Sequence, residues 1–594
     1  MLVLYGQRLL KNGTDQCCIV NKKLSSQKID LMRCKLFITT FLVSFFLVQS
    51  KAQVSPYKYR IQKKVTVNKG AVVSAHPLAS HVGVQILQQG GNAVDAAIAT
   101  QLALAVVYPG AGNIGGGGFL VGHLKSGKNI AIDFRETAPA KASHDMYLDS
   151  AGNPQLQWSQ DGALSAGVPG TVAGLFASMK YARLPFRKLI QPAINLAEKG
   201  FSLTKSQADD LNEYANDFKK YSTTPVAFVK FVPWKEGDIL VQLNLAATLK
   251  RIRDKGAKGF YEGETAKLIV EEMERSKGII SYEDLKNYKA KERAPIRFTY
   301  KGHEIISMPL PSSGGILLQQ MLGMIENKNI EALKFQTAES IQLMAEAERR
   351  AYADRAEYMG DADFVKVPLA SLLSKKYLNK RMSDFVPGTA GSSRTTGAGV
   401  MKESDETTHL SVIDAEGNAV SVTTTLNGHF GSRTVVGGAG FLLNDEMDDF
   451  SIKTGVPNMY GAVGNEQNAI APNKRMLSSM TPTVVLKNGK PFLVVGTPGG
   501  TTIPTSVFQS IVNVIDFKMS ADDAVNKLKF HHQWLPDEVY YEPGFDKNII
   551  AALEAMGYKT VDKGRIGRVE MIQVIGKKII AVGDGRGDDA AEGY

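Results

Sequence analysis

Long helical patterns mark the first part of the chain. Residues 93–107 (AVDAAIATQLALAVV) are apolar on nearly every face of a helix, which predicts a buried helix that Tyr108 and Pro109 end. Residues 333–359 carry another long helical pattern, and residues 186–290 contain polar helical periods. These segments predict several helices, the first of them fully buried.

Two hairpin patterns follow in the last third. Residues 407–413 and 419–425 alternate in polarity and are rich in Val and Thr, and the turn-forming residues 414–418 join them. Residues 481–496 (TPTVVLKNGKPFLVVG) repeat the pattern, with Asn488-Gly489 at the tip. Because strands and buried helices occur in both parts of the chain, we expect one layered α/β body and not a row of separate domains.

The stretch before the first hairpin has another composition. Residues 384–406 (DFVPGTAGSSRTTGAGVMKESDE) are rich in Gly, Ser and Thr and show no apolar periodicity. This composition predicts a flexible, exposed segment.

The amino-terminal part resembles a secretion signal. Residues 36–48 (LFITTFLVSFFLV) form an apolar run that is shorter than the roughly 20 residues that span a bilayer. Basic residues precede this run and a small-x-small end (residues 50–52) follows it. We therefore expect residues 1–52 to be an extension and a signal peptide, with Met32 as the start and Gln53 as the first residue of a periplasmic or secreted protein. The alternative is an N-terminal membrane anchor.

Composition narrows the function classes. The 594-residue chain is 44% hydrophobic and 22% charged, as in a globular protein. Residues 1–52 hold eight of the 70 basic and two of the 59 acidic residues, which leaves a net charge of +5 on the rest and no footprint for nucleic acid. All three cysteines, Cys17, Cys18 and Cys34, precede residue 53, so we expect neither disulfides nor thiol chemistry in the mature protein.

Three motif-like stretches predict ordinary structure, namely close backbone packing at the glycines of residues 110–115, a hairpin tip at residues 122–128 and two structural histidines. Residues 110–115 (GAGNIG) match GxGxxG, but they follow a helix and run into a strand, the reverse of a dinucleotide site. Residues 122–128 (GHLKSGK) match most of a phosphate-binding loop, but Asn129 stands where Ser or Thr is required. His531 and His532 are adjacent and should point apart, and no HExxH occurs. We expect no nucleotide, metal or other cofactor.

Threonine is the remaining candidate nucleophile, since the chain has no GxSxG serine motif. A threonine at a chain terminus can use its own α-amine as the base. Cleavage between Glu406 and Thr407 would create such a residue at the start of a strand. A Thr-Thr pair at this place can also reflect β-propensity alone.

Several long motifs resemble the gamma-glutamyltranspeptidase family. The resemblance covers essentially residues 65–594 in order. The motifs are GGNAVDAAIATQLAL, NIGGGGF, DFRETAP, GVPGTVAG, PLPSSGG, TTHLSVIDAEGNAVSVTTTLN, NDEMDDFS, PNKRMLSSMTPT, GTPGG, FHHQWLPDE and the terminal AEGY.

This resemblance implies an N-terminal-nucleophile hydrolase with an αββα sandwich. The precursor would cleave itself before Thr407 into a large subunit (residues 53–406) and a small subunit (residues 407–594), which form a heterodimer. Position by position, the family's catalytic roles fall on Thr407 as nucleophile, Thr425 as its hydrogen-bonding partner, and Gly499 and Gly500 as oxyanion donors. Its substrate-binding roles fall on Asn427, Glu446 and Asp449 for an α-ammonium, on Arg135, Ser478 and Ser479 for an α-carboxylate, and on Tyr460 of a lid loop (residues 454–472).

The implied activity is that of a gamma-glutamyltransferase and glutathione hydrolase. The gamma-glutamyl group of glutathione or a related compound would pass to Thr407 and then to water, an amino acid or a dipeptide. The alternative on the same fold is a cephalosporin (glutaryl) acylase, but Glu446 and Asp449 argue against it because a glutaryl group has no amine. A non-catalytic relative is a third hypothesis, and the intact Thr407 and Thr425 argue against it.

Overall fold

Two seven-stranded sheets form the centre of the computed structural model, which describes residues 55–396, 407–459 and 464–594. In order along the chain, the strands are β1 Lys64–Val67, β2 Ala71–Ser74, β3 Gly117–His123, β4 Asn129–Asp133, β5 Phe201–Ser202, β6 Ile239–Leu240, β7 Lys291–Arg293, β8 Ile296–Tyr300, β9 His303–Ser307, β10 Thr408–Ile413, β11 Ala419–Thr425, β12 Thr483–Lys487, β13 Lys490–Gly496, β14 Phe530–His531, β15 Val539–Tyr541, β16 Thr560–Asp562, β17 Glu570–Ile575, β18 Lys578–Val582 and β19 Ala590–Gly593. The first sheet has the order β1-β18-β17-β13-β12-β9-β8 and the second β19-β2-β10-β11-β3-β4-β7. Neighbouring strands in both sheets run antiparallel.

Alternating side chains hold the two sheets together. Val484 and Leu486 of β12 pack in one buried cluster with Val73 and Phe119 of the second sheet. Val485 points the other way, into the cluster formed by the helices. This period of two is what a strand covered on both faces requires.

Helices cover the outer face of each sheet. Their bounds are Pro77–Gln88, Ala93–Val107, Leu156–Gln160, Thr171–Ser178, Phe186–Lys199, Lys205–Glu213, Ala215–Tyr221, Leu243–Lys255, Lys258–Tyr261, Gly263–Ser276, Tyr282–Asn287, Gly314–Ile325, Ile330–Leu333, Ala338–Tyr358, Leu369–Leu372, Lys375–Arg381, Ser393–Thr396, Thr502–Ile515, Ala521–Asn526 and Lys547–Ala555. Helix Ala93–Val107 packs on β10 and β11, whereas helix Thr502–Ile515 belongs to the cluster on the outer face of the first sheet. The fold is therefore an αββα sandwich, as predicted.

Strands from both sides of residue 407 share the same sheets. In the second sheet β10 lies between β2 and β11, and β11 pairs with β3. Residues 56–594 form one compact unit. A cut before Thr407 would therefore leave two chains joined by the ladders of their sheets.

The main pattern-based predictions are confirmed. Every residue of helix Ala93–Val107 is buried, and Asn92 and Asp95 form a capping box at its start. The hairpin β10–β11 runs from the pair Thr408–Thr424 to the pair Ile413–Ala419. The second hairpin turns at Asn488 and Gly489, both with positive φ.

The glycines of GAGNIG serve close packing. A Cβ on Gly112 would lie 2.3 Å from the carbonyl oxygen of Leu104, and one on Gly115 would lie 2.1 Å from that of Leu442. No larger residue fits at either position, so the prediction of a packing role is confirmed. Residues 122–128 span the end of β3 and the turn to β4, as expected for a hairpin tip.

The prediction for residues 384–406 is wrong at Ser393. This residue is 2% exposed, and its backbone N–H donates to Asp537 Oδ2 at 2.8 Å. Its carbonyl accepts a hydrogen bond from the indole of Trp534 at 3.1 Å, and Arg349 donates to its hydroxyl.

Residues 397–406 lie outside the described part of the chain, as does the predicted signal sequence, residues 1–52. Among described residues, no helix is long and apolar enough to cross a membrane.

Candidate active site

A pocket opens where β10 and β11 meet the loop after β13. Nine of the predicted site residues line it, namely Arg135, Thr407, Thr425, Asn427, Glu446, Asp449, Ser478, Ser479 and Gly500. Gly499 immediately precedes Gly500, whereas Glu406 and Tyr460 lie outside the described residues, so their roles stay predictions. The pocket also contains five residues that were not predicted as site residues, namely Arg355, Asn458, Met480, Thr501 and Ile503.

The hairpin places two threonines at one end of the second sheet. Thr407 precedes β10 and is 5% exposed, and Thr425 ends β11 and is 3% exposed. The pairing of Thr408 with Thr424 brings these neighbours together. The backbone N–H of Asn427 donates to Thr425 Oγ1 at 2.8 Å, which fixes the orientation of that hydroxyl. The nucleophile candidate therefore lies directly before a strand that is paired on both sides.

Gly499 and Gly500 form a tight turn between β13 and helix Thr502–Ile515. Their φ angles are +134° and +51°, and a Cβ on Gly499 would lie 2.3 Å from Thr502 Oγ1. Gly499 therefore requires glycine, and the left-handed conformation at Gly500 favours it. The turn lies at the positive end of the helix dipole, where backbone N–H groups favour a negative charge.

The FHHQ stretch supports this turn from behind. Thr501 Oγ1 donates to Gln533 Oε1, and His531 Nε2 lies 3.4 Å from the same hydroxyl. Burial lowers the pKa of His531 well below its ordinary value, so this ring is neutral. His532 is directed to Asp537 instead, at 3.4 Å, so the two histidines point apart as predicted. Among the described residues no group of three His, Cys, Asp or Glu could hold a metal ion.

The other end of the pocket is charged. Arg135 is 1% exposed and forms ion pairs with both Glu446 and Asp449, and Glu136 Oε2 lies 3.7 Å from its Nη1. Burial raises the pKa of the Glu446 and Asp449 carboxyls, and the contact with Arg135 opposes this. Burial also acts to lower the pKa of Arg135, but the two carboxylates raise it above its ordinary value. Asp448 is fully buried and Asp449 lines the pocket, so these two carboxylates do not form a solvated acidic patch.

Asn444 fixes the short 3-10 turn Glu446–Asp449. Its Nδ2 donates to the carbonyls of Gly115 at 2.8 Å and Gly167 at 2.9 Å, and its Oδ1 accepts the N–H of Glu446 at 3.1 Å. The motifs NIGGGGF and GVPGTVAG thus hold NDEMDDFS in place through one buried amide.

The PLPSSGG motif performs the same task for Ser478 and Ser479. The N–H of Ser478 donates to the carbonyl of Pro311 at 2.9 Å, and the carbonyl of Ser478 accepts the N–H of Ser313 at 2.8 Å. Ser312 Oγ donates to the carbonyl of Met480 at 2.6 Å. These bonds join the segment to the start of helix Gly314–Ile325.

The predicted lid loop begins beside the charged end. Asn458 Nδ2 donates to Asp449 Oδ1 at 2.8 Å, and the N–H of Met459 donates to Asp448 Oδ2 at 2.6 Å. Asp448 also accepts from the hydroxyl of Ser159. Burial raises the pKa of Asp448 to about 7, although both hydrogen bonds oppose the shift. Asn458 belongs to the predicted lid loop but was not predicted to line the pocket, because its contact with Asp449 depends on the fold.

Comparisons with known proteins show which proteins the chain resembles. The model of the gamma-glutamyltranspeptidase family matches residues 79–594. The glutathione hydrolase proenzyme of Escherichia coli (strain K12) is 46% identical over 540 residues, which are 89% of this chain and 93% of that protein. A crystal structure of cephalosporin acylase from Bacillus halodurans has a TM-score of 0.78 at 26% identity and covers 92% of this chain and 99% of its own. One of Helicobacter pylori gamma-glutamyltranspeptidase has a TM-score of 0.53 at 47% identity and covers 56% of this chain and 94% of its own.

Proposed function

The chain belongs to the gamma-glutamyltranspeptidase family, and on this premise we propose that it is a gamma-glutamyltransferase and glutathione hydrolase. One observation carries the proposal: Thr407 shares a pocket with a buried group of opposite charges, Arg135 with Glu446 and Asp449. A gamma-glutamyl group carries an α-ammonium and an α-carboxylate. Such a zwitterion needs both signs of charge beside the nucleophile.

The uncharged end of the pocket, formed by Thr407, Thr425, Gly499 and Gly500, would carry out the transfer of the gamma-glutamyl group. The Thr407 hydroxyl attacks the γ-carbonyl carbon, and the α-amine of the same residue takes the hydroxyl proton. The N–H groups of Gly499 and Gly500 stabilise the oxyanion that forms, and the leaving amine departs with the proton. Water or the amine of an amino acid or dipeptide then attacks the resulting ester, which releases the gamma-glutamyl group and restores Thr407.

Recognition of the glutamyl head requires an exchange of ion pairs. The α-ammonium meets Glu446, Asp449 and the amide oxygen of Asn427. The α-carboxylate meets Arg135, whose planar fork suits two oxygens, and the hydroxyls of Ser478 and Ser479. In the structure Arg135 already contacts both acidic side chains, so substrate charges replace existing partners and no charge enters the pocket uncompensated.

The active form arises from a precursor. The Thr407 hydroxyl attacks the carbonyl carbon of Glu406, the peptide bond shifts to an ester, and water releases residues 53–406 from residues 407–594. Support comes from the rigid setting of Thr407 at the start of β10 and from the term proenzyme in the name of the Escherichia coli relative. Both products remain associated as a heterodimer because their strands alternate in the sheets.

We also propose that the protein is exported to the periplasm or the medium. Its support is the apolar run 36–48 with basic residues before it and a small-x-small end after it. Mass spectrometry of the mature protein should find a first residue near Gln53. A mature protein that retains residues 36–48 would indicate a membrane anchor.

The acylase remains the second candidate because of the likeness to the Bacillus halodurans structure. A gamma-glutamyl anilide and a glutaryl anilide separate the two activities, since only the first has an α-amine for Glu446 and Asp449. We expect the purified enzyme to hydrolyse the gamma-glutamyl anilide at least about 100-fold faster, as expected where a buried charge loses its partner. Equal turnover of both anilides would contradict the proposed function and favour the acylase.

A further inference from the structure

A second arginine reaches the pocket from the helical layer. Arg355 lies in the last turn of helix Ala338–Tyr358 and is 7% exposed. Its Nε donates to Ser313 Oγ at 3.1 Å, and its Nη2 donates to Ser479 Oγ at 3.3 Å. A cation at the carboxyl end of a helix is also favoured by the helix dipole. Arg355 is thus held in a fixed position beside one of the two serines proposed to bind the α-carboxylate.

The charges that line the pocket balance only when Arg355 is included. Arg135 and Arg355 are its described cations, and Glu446 and Asp449 are its described anions. Asp449 faces both arginines, and each of them lowers its pKa, in opposition to burial. A pocket lined by two positive and two negative side chains is balanced in charge, as is a glutamyl head group with one charge of each sign.

The two arginines differ in their surroundings. Arg135 contacts two carboxylates directly, so its field on the α-carboxylate is partly cancelled. Arg355 donates to two serine hydroxyls, and its charge also acts on Asp449, whose pKa it lowers. Arg355 is therefore the arginine whose charge is held beside Ser479 by a hydrogen bond.

We propose that Arg355 determines specificity for the α-carboxylate of the donor, by its charge and by the orientation it gives to Ser479. This inference rests on the proposed function. It also assigns a role to the PLPSSGG motif, because the hydroxyl of Ser313 in that motif accepts from Arg355 Nε and donates to the carbonyl of Ser478. One serine thereby joins the second arginine to the serine pair.

The experiment compares two competitive inhibitors of gamma-glutamyl anilide hydrolysis. L-Glutamate has the α-carboxylate, and its α-amide, isoglutamine, replaces that group with a neutral one. Arg355→Gln should raise the inhibition constant of L-glutamate and the KM of the gamma-glutamyl anilide, each about 10- to 100-fold. It should change the inhibition constant of the α-amide less than about threefold. Arg355→Lys should restore a large part of the loss. Equal effects on both inhibitors, or none, would overturn the proposal.

Two further variants separate specificity from folding. Arg350→Gln removes a similarly buried arginine of the same helix that contacts Glu346 and Asp384 and not the pocket, so any effect should be equal for both inhibitors. Ser313→Ala removes the hydroxyl that accepts from Arg355 Nε and donates to the carbonyl of Ser478, and it should weaken the binding of L-glutamate alone, about threefold. If Arg355→Gln does not fold, the Ser313→Ala result decides, and equal inhibition constants there would overturn the inference. A wild type without activity on the anilide would instead contradict the proposed function.

Discussion

The two ends of the pocket are built in different ways. The reacting end consists of hydroxyls and backbone N–H groups, from Thr407, Thr425, Gly499 and Gly500, at the ends of core strands. The recognition end consists of buried charges that come from a loop after β4, a 3-10 turn and the last turn of a helix. The first end therefore depends on backbone geometry, and the second on mutual compensation of charges.

This difference determines how each end can fail. A backbone donor cannot be deleted by a side-chain change, but it can be displaced by a Cβ where only glycine fits. A buried charge can be deleted easily, and its former partner then remains unpaired at a cost of several kcal/mol. Substitutions at the two ends should thus differ in their dependence on the substrate's own charges.

The largest expected effect is at Thr407. Thr407→Ala removes the attacking hydroxyl, so the protein should remain one chain of about 59 kDa and lose activity by about 10⁴-fold or more. The wild type should give two chains of about 38 and 20 kDa. Thr407→Ser, which keeps a hydroxyl and an amine, is the matched control and should still be cleaved. Gel electrophoresis and Edman sequencing check the outcome, and a small chain that begins anywhere but Thr-Thr-His-Leu would contradict it.

Asp449→Ala tests the recognition end. It removes one of the carboxylates proposed to bind the α-ammonium, so kcat/KM for a gamma-glutamyl anilide should fall roughly 30- to 5000-fold, while cleavage before Thr407 continues. On a glutaryl anilide the variant should lose little further activity, because that substrate has no amine. Asp522→Ala, which removes an exposed ion pair with Lys64, should change neither rate. Equal losses on both anilides would show that Asp449 acts on the fold alone.

The reacting end could be predicted from sequence more fully than the recognition end. Thr407, Thr425 and the two glycines stand in contiguous motifs whose strand or turn pattern is local. Arg355 does not, because its partners Ser313 and Ser479 are 42 and 124 positions away and only the fold brings them together. The prediction that Ser393 is exposed fails for the same reason. A Gly/Ser/Thr-rich composition does not show that Asp537, 144 positions away in the sequence, accepts a hydrogen bond from the backbone of Ser393.

Gly499→Ala should impair the reacting end without a change in charge. The new Cβ meets Thr502 Oγ1, so the turn must shift and displace the proposed oxyanion donors. We expect kcat to fall about 100-fold with little change in KM. Gly489→Ala is the matched control, since Gly489 also has a positive φ of +71° but nothing within 4 Å of its Cβ position. It should lower the apparent Tm slightly and leave kcat unchanged. The same loss of kcat in both variants would mean that backbone strain, not the oxyanion donors, is responsible.

The smallest expected effect is at Asp448, behind the recognition end. Because burial raises its pKa to about 7 in the folded protein, against 3.8 ordinarily, the folded state binds this proton more tightly than the unfolded state does. The resulting stabilisation is complete below about pH 4 and is lost as the pH rises through 7. Asp448→Asn has no such proton to lose, so its apparent Tm relative to wild type should rise by about 2–4 °C between pH 5 and pH 8. Differential scanning fluorimetry measures this difference, with the exposed Asp522→Asn as the control that should show none. A constant difference across this pH range would mean that Asp448 stays ionised throughout and that the Met459 and Ser159 hydrogen bonds outweigh its burial.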